Sequence, residues 1–288
     1  MELVLRKVAD LSPQVAGRQV VAAGVGDRDR LVLLLGTSVP GSRGVTCTAA
    51  VFADRRSGSV EELAIEPVTV VDPLVQPLAN GGLLIADSLG STHGPPNAHV
   101  IGPDGRVQRS MVLGDAIEHM LVDKLDRVWV GYFDEGVFGN SIASSGLVRF
   151  DLTTGEPDWS FHPPEGSDFI ADCYALNIDG DTAWMVYYTD FDLFRIDSDG
   201  QTHRWRADAG PVGLIGCDGS QVLLGTIGDR GGSTLWTLAN ETLADLRFLR
   251  VRIEGDDILE GVAFGRGSTI HAIDETTWYA ASMSDIEP

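Results

Sequence analysis

The residues best suited to chemistry in this chain are carboxylates, one histidine and a few aromatics that sit just ahead of short apolar runs. Glu118 and His119 precede Met120–Val122, and Asp172, Cys173 and Tyr174 precede Ala175–Ile178; Asp72, Asp257 and Glu260 hold comparable places. Carboxylates and imidazoles move protons, which makes Glu118, His119 and Asp172 the candidate catalytic residues. Clustered oxygen ligands hold hard cations, so Glu118, Asp172 and Glu260 are the candidate metal ligands for Ca²⁺, Mg²⁺ or Mn²⁺. An acidic chain also places Asp and Glu at loop ends for solubility alone. Cys173 is an isolated cysteine, more often a small core residue than a nucleophile.

Two loops extend this inventory. Gly131–Asn140 interleaves aromatics with polar groups, and Tyr132, Asp134, Glu135 and Asn140 would give a small polar ligand a stacking wall and directed hydrogen bonds. Tyr174 joins them as a ligand-binding candidate, as does His93 in the loop Asp87–Asn97. The competing reading is a loop whose glycines and aromatics simply pack over the sheet below.

What must position these groups is a repeat. Short β-rich runs recur at Leu31–Gly36, Leu83–Ala86, Val128–Gly131, Ala183–Val186, Val222–Gly225 and Thr269–Ala272. Their spacing, roughly 40 to 55 residues, is what four short strands and their turns require. Asp-Gly turns at Asp104-Gly105, Asp179-Gly180, Asp199-Gly200 and Asp218-Gly219 supply the positive φ of tight hairpins. The whole chain, 1–288, therefore reads as one all-β domain, a single β-propeller of about six four-stranded antiparallel blades. The free run Glu2–Val8 closes it as the outer strand of the last blade, covering a sheet edge that would otherwise invite aggregation. The nearest helical candidate is Glu241–Leu249.

Asp151 and Asp197 are each followed eight residues later by a tryptophan, Trp159 and Trp205. This resembles the motif of quinoprotein propellers, where turn and tryptophan lock one blade against the next; it implies packing here and no quinone. The ring of carboxylates entering the inner strands resembles the gluconolactonase and senescence-marker propellers and the streptogramin lyases. That resemblance implies a divalent cation at the channel mouth and a metal-assisted hydrolase or lyase. Val128–Asp151 resembles a segment of uncharacterised bacterial propeller proteins and brings no function with it. The alternative is a non-catalytic protein-interaction scaffold of the kind WD-repeat propellers provide. Partners are thus a small molecule or a protein.

Charge excludes other classes. Against 21 basic residues stand 42 acidic ones, a formal net of −21 and a pI near 4.4. Such a surface repels phosphate backbones and anionic lipid, so neither nucleic acid nor membrane is an expected partner. The first residues lack a signal-peptide pattern, and three cysteines show no paired spacing, which together suggest the cytoplasm. No dinucleotide, Walker, nucleophile-elbow or zinc-protease motif is present.

Overall fold

A computed structural model of the chain describes residues 1–90, 95–139, 141–207, 209–227, 232–239, 242–255 and 261–287. Strand β1 covers Glu2–Asp10. The first sheet holds β2 (Gln19–Gly26), β3 (Arg30–Ser38), β4 (Val45–Asp54) and β5 (Val60–Val70). The second holds β6 (Pro73–Pro77), β7 (Leu83–Asp87), β8 (Ala98–Ile101) and β9 (Val107–Met111). The third holds β10 (Ile117–Val122), β11 (Arg127–Tyr132), β12 (Leu147–Asp151) and β13 (Pro157–Ser160). The fourth holds β14 (Asp172–Asp179), β15 (Thr182–Tyr188), β16 (Leu193–Ile196) and β17 (Thr202–Trp205). The fifth holds β18 (Leu214–Cys217), β19 (Gln221–Gly225), β20 (Ser233–Ala239) and β21 (Thr242–Ile253). The sixth holds β22 (Val262–Arg266), β23 (Thr269–Asp274) and β24 (Thr277–Ser282), with β1 as its fourth strand. The first five are antiparallel meanders in chain order, and in the sixth the meander β22–β24 is followed by β1. No helix among the described residues is long and apolar enough to cross a membrane.

The chain divides into two compact units, Leu11–His162 with the first three sheets, and Met1–Asp10 with Pro163–Pro288 carrying the other three. In both, the second strand of each sheet is largely buried on both faces. Leu31–Leu35 of β3 and Ala183–Tyr187 of β15 are buried throughout, as expected where a sheet is covered on both sides. The Asp-Gly turns behave as their sequence predicts: Gly105, Gly180, Gly200 and Gly219 all take positive φ, between 62° and 87°. Inner strands approach so closely that side chains are excluded. A Cβ on Gly24 would lie 1.9 Å from the Val75 carbonyl oxygen, and one on Gly265 would lie 1.8 Å from that of Ile215.

Buried amides tie neighbouring sheets together within each unit. Asn97 donates to the Asp87 and Gly114 carbonyls and accepts from Leu113 N–H, joining the second sheet to the loop that leads into the third. Asn177 reaches further. From β14 its Nδ2 donates to the carbonyls of Ile215 (2.7 Å) and Gly267 (2.9 Å), while its Oδ1 accepts from Gly267 N–H (2.9 Å), so one side chain holds three sheets.

One expectation is modified. β1 does pair antiparallel with β24 through Arg6–Asp10, yet its first half, Glu2–Leu5, pairs parallel with β21. One strand thereby joins the fifth and sixth sheets into an eight-stranded sheet. The segment that was only the nearest helical candidate is strand β21, in keeping with the all-β reading: Leu249, Val251 and Ile253 alternate inward with period two and share one cluster with Leu3 and Leu5.

Candidate functional site

The inner strands of the first, third and fourth sheets each carry a bulge near their start, at Val21, Glu118 and Tyr174. A bulge leaves one residue without a cross-strand partner and re-aims its side chain. Glu118 and Tyr174, both candidates from the sequence, thus occupy the same place in two blades.

A second device accompanies the bulge. The residue opposite its leading edge is Tyr132 in the third sheet and Tyr187 in the fourth. Both tyrosines are fully buried, and each hydroxyl donates to a carbonyl four residues ahead of the inner strand: Tyr132 to Leu113, and Tyr187 to Asp168 at 3.0 Å. Burial pushes both phenols far above their ordinary pKa, with Asp190 reinforcing the rise at Tyr187, so each remains a hydrogen-bond donor. Tyr132 is therefore a tether for the incoming loop and presents no surface to a ligand. The common spacing Trp129-x-x-Tyr132 and Trp184-x-x-Tyr187 is the sequence signal for this role.

Around the fourth sheet the tether is the centre of a polar network. Arg204 pairs with Asp192 (2.7 Å) and Asp190 (3.1 Å) and donates to Gly166 O and Ser167 Oγ. Asp190 also accepts from Asp168 N–H, Thr189 Oγ1 donates to Phe169 O, and Ala171 N–H donates to Tyr188 O. Residues 166–171 are thus fastened to the β15–β16 turn along their length. Phe191, at the tip of that turn, sits in the left-handed region at φ 54°, its N–H bonded to Tyr187 O and its carbonyl accepting from Ala209 N–H. A bulky residue rarely adopts this conformation unless its surroundings fix it.

On this base stands a group of aromatics. Tyr174 stacks on Tyr188 with ring centroids 6.1 Å apart, and Phe191 lies 5.5 Å from each. Tyr188 is 45% exposed, and Phe169, on the fastened loop, is 59% exposed. Asp172 lies across the ladder from Tyr188 and is half-buried, while Asp168 is exposed. The structure therefore brings the predicted residues Asp172 and Tyr174 together with Tyr188 and Phe191, and fastens the loop that carries Phe169 beside them through Thr189 and Tyr188; none of these three stands out in the sequence.

The other candidates are placed as follows. Glu118 is exposed and His119 half-buried at the start of β10. Asp134 and Glu135 are exposed on the short helix Asp134–Val137, where the Asp134 carboxylate accepts from Glu135 N–H. Cys173 is fully buried. His93, Asn140 and Glu260 lie outside the described residues, as does Asp257. Among the described residues no group of three His, Cys, Asp or Glu is placed to hold a metal ion. In the unit formed by the first three sheets, a cavity of about 200 Å³ lies at the far ends of the inner strands, lined by Asp27, Arg28, Asp54, Asp123, Lys124 and Asp126. Its deepest carboxylate, Asp123, is already committed to Arg127 and to the Trp129 indole.

The two matched tryptophans differ. Trp205 is buried against Trp184 in a cluster with Ile215, Cys217, Val222 and Leu224 of the fifth sheet, the blade-to-blade packing the motif implies. Trp159 is half-buried and lies on Trp129 of its own sheet, 5.5 Å between centroids. Trp205→Ala should cost about 3–5 kcal/mol and Trp159→Ala about 1–2 kcal/mol, read as denaturation midpoints. Equal losses would show that both tryptophans lock blades alike.

Repeated four-stranded meanders, an N-terminal strand completing the last sheet and a recurring inner-strand bulge define a β-propeller. The chain is similar over 95% of its length to virginiamycin B lyase from Staphylococcus aureus, covering 97% of that chain at a TM-score of 0.52 and 12% identity. It is similar to Kluyveromyces lactis Hsv2 over 94% of its length and 76% of that chain, with a TM-score of 0.53 and 12% identity. A chain of the mitotic checkpoint complex matches over 97% and 93% of the two lengths, with a TM-score of 0.53 and 9% identity. These likenesses are of fold. No protein-family model matches the sequence, and no curated protein matches it by sequence.

Proposed function

We propose that this propeller is a recognition module that docks a protein partner on the aromatic patch of its fourth blade. The observation that carries the reading is the exposure of Phe169 and Tyr188 on a base cross-linked by Arg204, Asp190, Tyr187 and Thr189. Aromatic anchors dominate protein interfaces because they bury much area at little conformational cost, and a base already fixed lowers that cost further. Small-molecule sites bury most of their ligand, whereas these two residues are largely open to solvent. A chain of similar fold serves in a protein assembly, the mitotic checkpoint complex, which supports the reading.

The test is a Phe169→Ser, Tyr188→Ser double variant. Affinity capture from cells that express the protein, followed by titration of the purified partner, should show binding weakened at least about tenfold at an unchanged melting temperature. A partner held equally by parent and variant would place recognition elsewhere.

A further inference from the structure

We infer that the outer edge of β21 is a second docking site, which takes an acidic extended segment of a protein as an added strand. Its ligand is separate from the partner of the fourth blade. On one side β21 pairs with β20 from Thr242 to Leu249, whereas on the other β1 covers only Arg250–Ile253. At the far end Thr242 bridges to Arg206, also in parallel. Between these two neighbours, Leu243–Leu249 has no strand on that side among the described residues. Arg250 N–H donates to Met1 O, so the N–H and C=O of Phe248, two residues earlier, turn to the same side and meet no strand there. A bare edge is a template for another chain, whose main chain supplies affinity and whose alternate side chains supply specificity. Leu246 and Phe248, 44% and 76% exposed, offer apolar contact along it. A bulge at Asp245, φ 54°, kinks the edge, which works against indiscriminate sheet growth and suits one short segment.

Charge decides what that segment carries. Residues 242–253 hold Arg247, Arg250 and Arg252 against one carboxylate, Asp245, in a chain whose formal net charge is −21. Glu2 answers Arg252. The Arg247 Nε is buried with no hydrogen-bond partner, and Arg206 is exposed and forms no ion pair among the described residues. The groove that Arg206 lines, about 650 Å³, also carries His203, Arg204 and a single carboxylate, Glu165, and it reaches Leu243, where the bare edge begins. Arg204 is already paired with Asp190 and Asp192, which leaves Arg206 and Arg247 to be met from outside. Carboxylates of an extended segment would supply what both guanidiniums lack. A second copy of this chain would set −21 against −21 and bring the same two arginines to the junction, so the fitting occupant is a different protein.

The experiment titrates the full chain into fluorescein-labelled octapeptides at physiological salt, read by anisotropy. One alternates glutamate and valine, the second is the same peptide with its amides N-methylated, and the third alternates lysine and valine. The glutamate peptide should bind, and the other two should bind at least about tenfold more weakly. Arg206→Gln with Arg247→Gln should weaken the glutamate peptide about tenfold. Arg43→Gln with Arg106→Gln, the same change of net charge on two exposed arginines elsewhere, should leave it within about twofold. A melting curve for each variant confirms that it is folded. General attraction by an acidic chain favours the lysine peptide, so a lysine peptide that binds as tightly as the glutamate one overturns the inference. An N-methylated peptide that binds as well as its parent overturns strand addition. Sedimentation of the free chain as a dimer that the glutamate peptide splits would assign the edge to a second copy and overturn it too. Phe169→Ser with Tyr188→Ser should leave peptide binding unchanged; if the glutamate peptide fails while that variant still loses the captured partner, this inference falls and the recognition reading stands.

Discussion

Removal of residues 1–8 is expected to cost about 5 kcal/mol or more and to leave a chain that self-associates. β1 contributes Leu3 and Leu5, both without solvent exposure, to the cluster that holds Leu223, Leu249, Val251, Ile270 and Ala272. It also satisfies two sheet edges at once, β21 along Glu2–Leu5 and β24 along Arg6–Asp10. Glu2 adds an ion pair to Arg252 at 2.7 Å, whose hydrogen bond holds the Glu2 carboxyl below its ordinary pKa. Stripping the strand therefore empties two leucine sites and opens two ladders to other chains. Because the truncated chain is at risk of not folding, Leu5→Ala provides the graded version, with an expected loss of about 2–5 kcal/mol. Denaturation midpoints and sedimentation measure both. A truncated chain that stays monomeric with the parent's midpoint would show that β1 does not close the sixth sheet.

Asn177→Ala is the second large effect. The amide is fully buried, and its three bonds end on backbone groups of two other sheets. Deleting it removes the side-chain bonds to the Ile215 and Gly267 carbonyls and to the Gly267 N–H; Gly267 keeps its backbone bonds, its carbonyl accepting from Cys217 N–H and its N–H donating to Ile178 O, so the loss is about 2 kcal/mol or more. Asn177→Asp keeps the acceptor but gives up both donations and buries a charge beside two carbonyls, so it should do no better. Chemical denaturation reads both variants. A change below about 1 kcal/mol for the alanine variant would mean that water takes over the clamp.

How far the sequence reveals these features depends on which physical signal each one leaves. The Asp-Gly hairpins and the doubly buried second strands are local, readable from Gly105 or Leu31–Leu35 without knowing the rest of the chain. Bulges are not. Nothing in Asp172-Cys173-Tyr174 says that pairing slips after Cys173, and only that slip turns Tyr174 out toward Tyr188. The pair Tyr187-Tyr188 shows the same limit from the other side. Alternation puts adjacent residues on opposite faces, yet which one goes inside is set by the Asp168 carbonyl waiting for the Tyr187 hydroxyl. Tyr132 reads as a ligand group because aromatic residues in a glycine-rich loop suggest exposure, whereas it is the last residue of β11 and its hydroxyl is spent on Leu113. Phe169 and Phe191 leave no local signal, because exposure is a property of the assembled blade.

The most direct measurement of the central claim is hydroxyl-radical footprinting of the full chain, free and bound to its captured partner. Phe138 and Phe248, 68% and 76% exposed, serve as internal references beside Phe169 and Tyr188. Recognition by the fourth blade predicts that the partner shields Phe169 and Tyr188 from oxidation while Phe138 and Phe248 keep the reactivity of the free chain. Oxidation of Phe169 and Tyr188 at the free-chain rate, with protection falling on another surface, would contradict it.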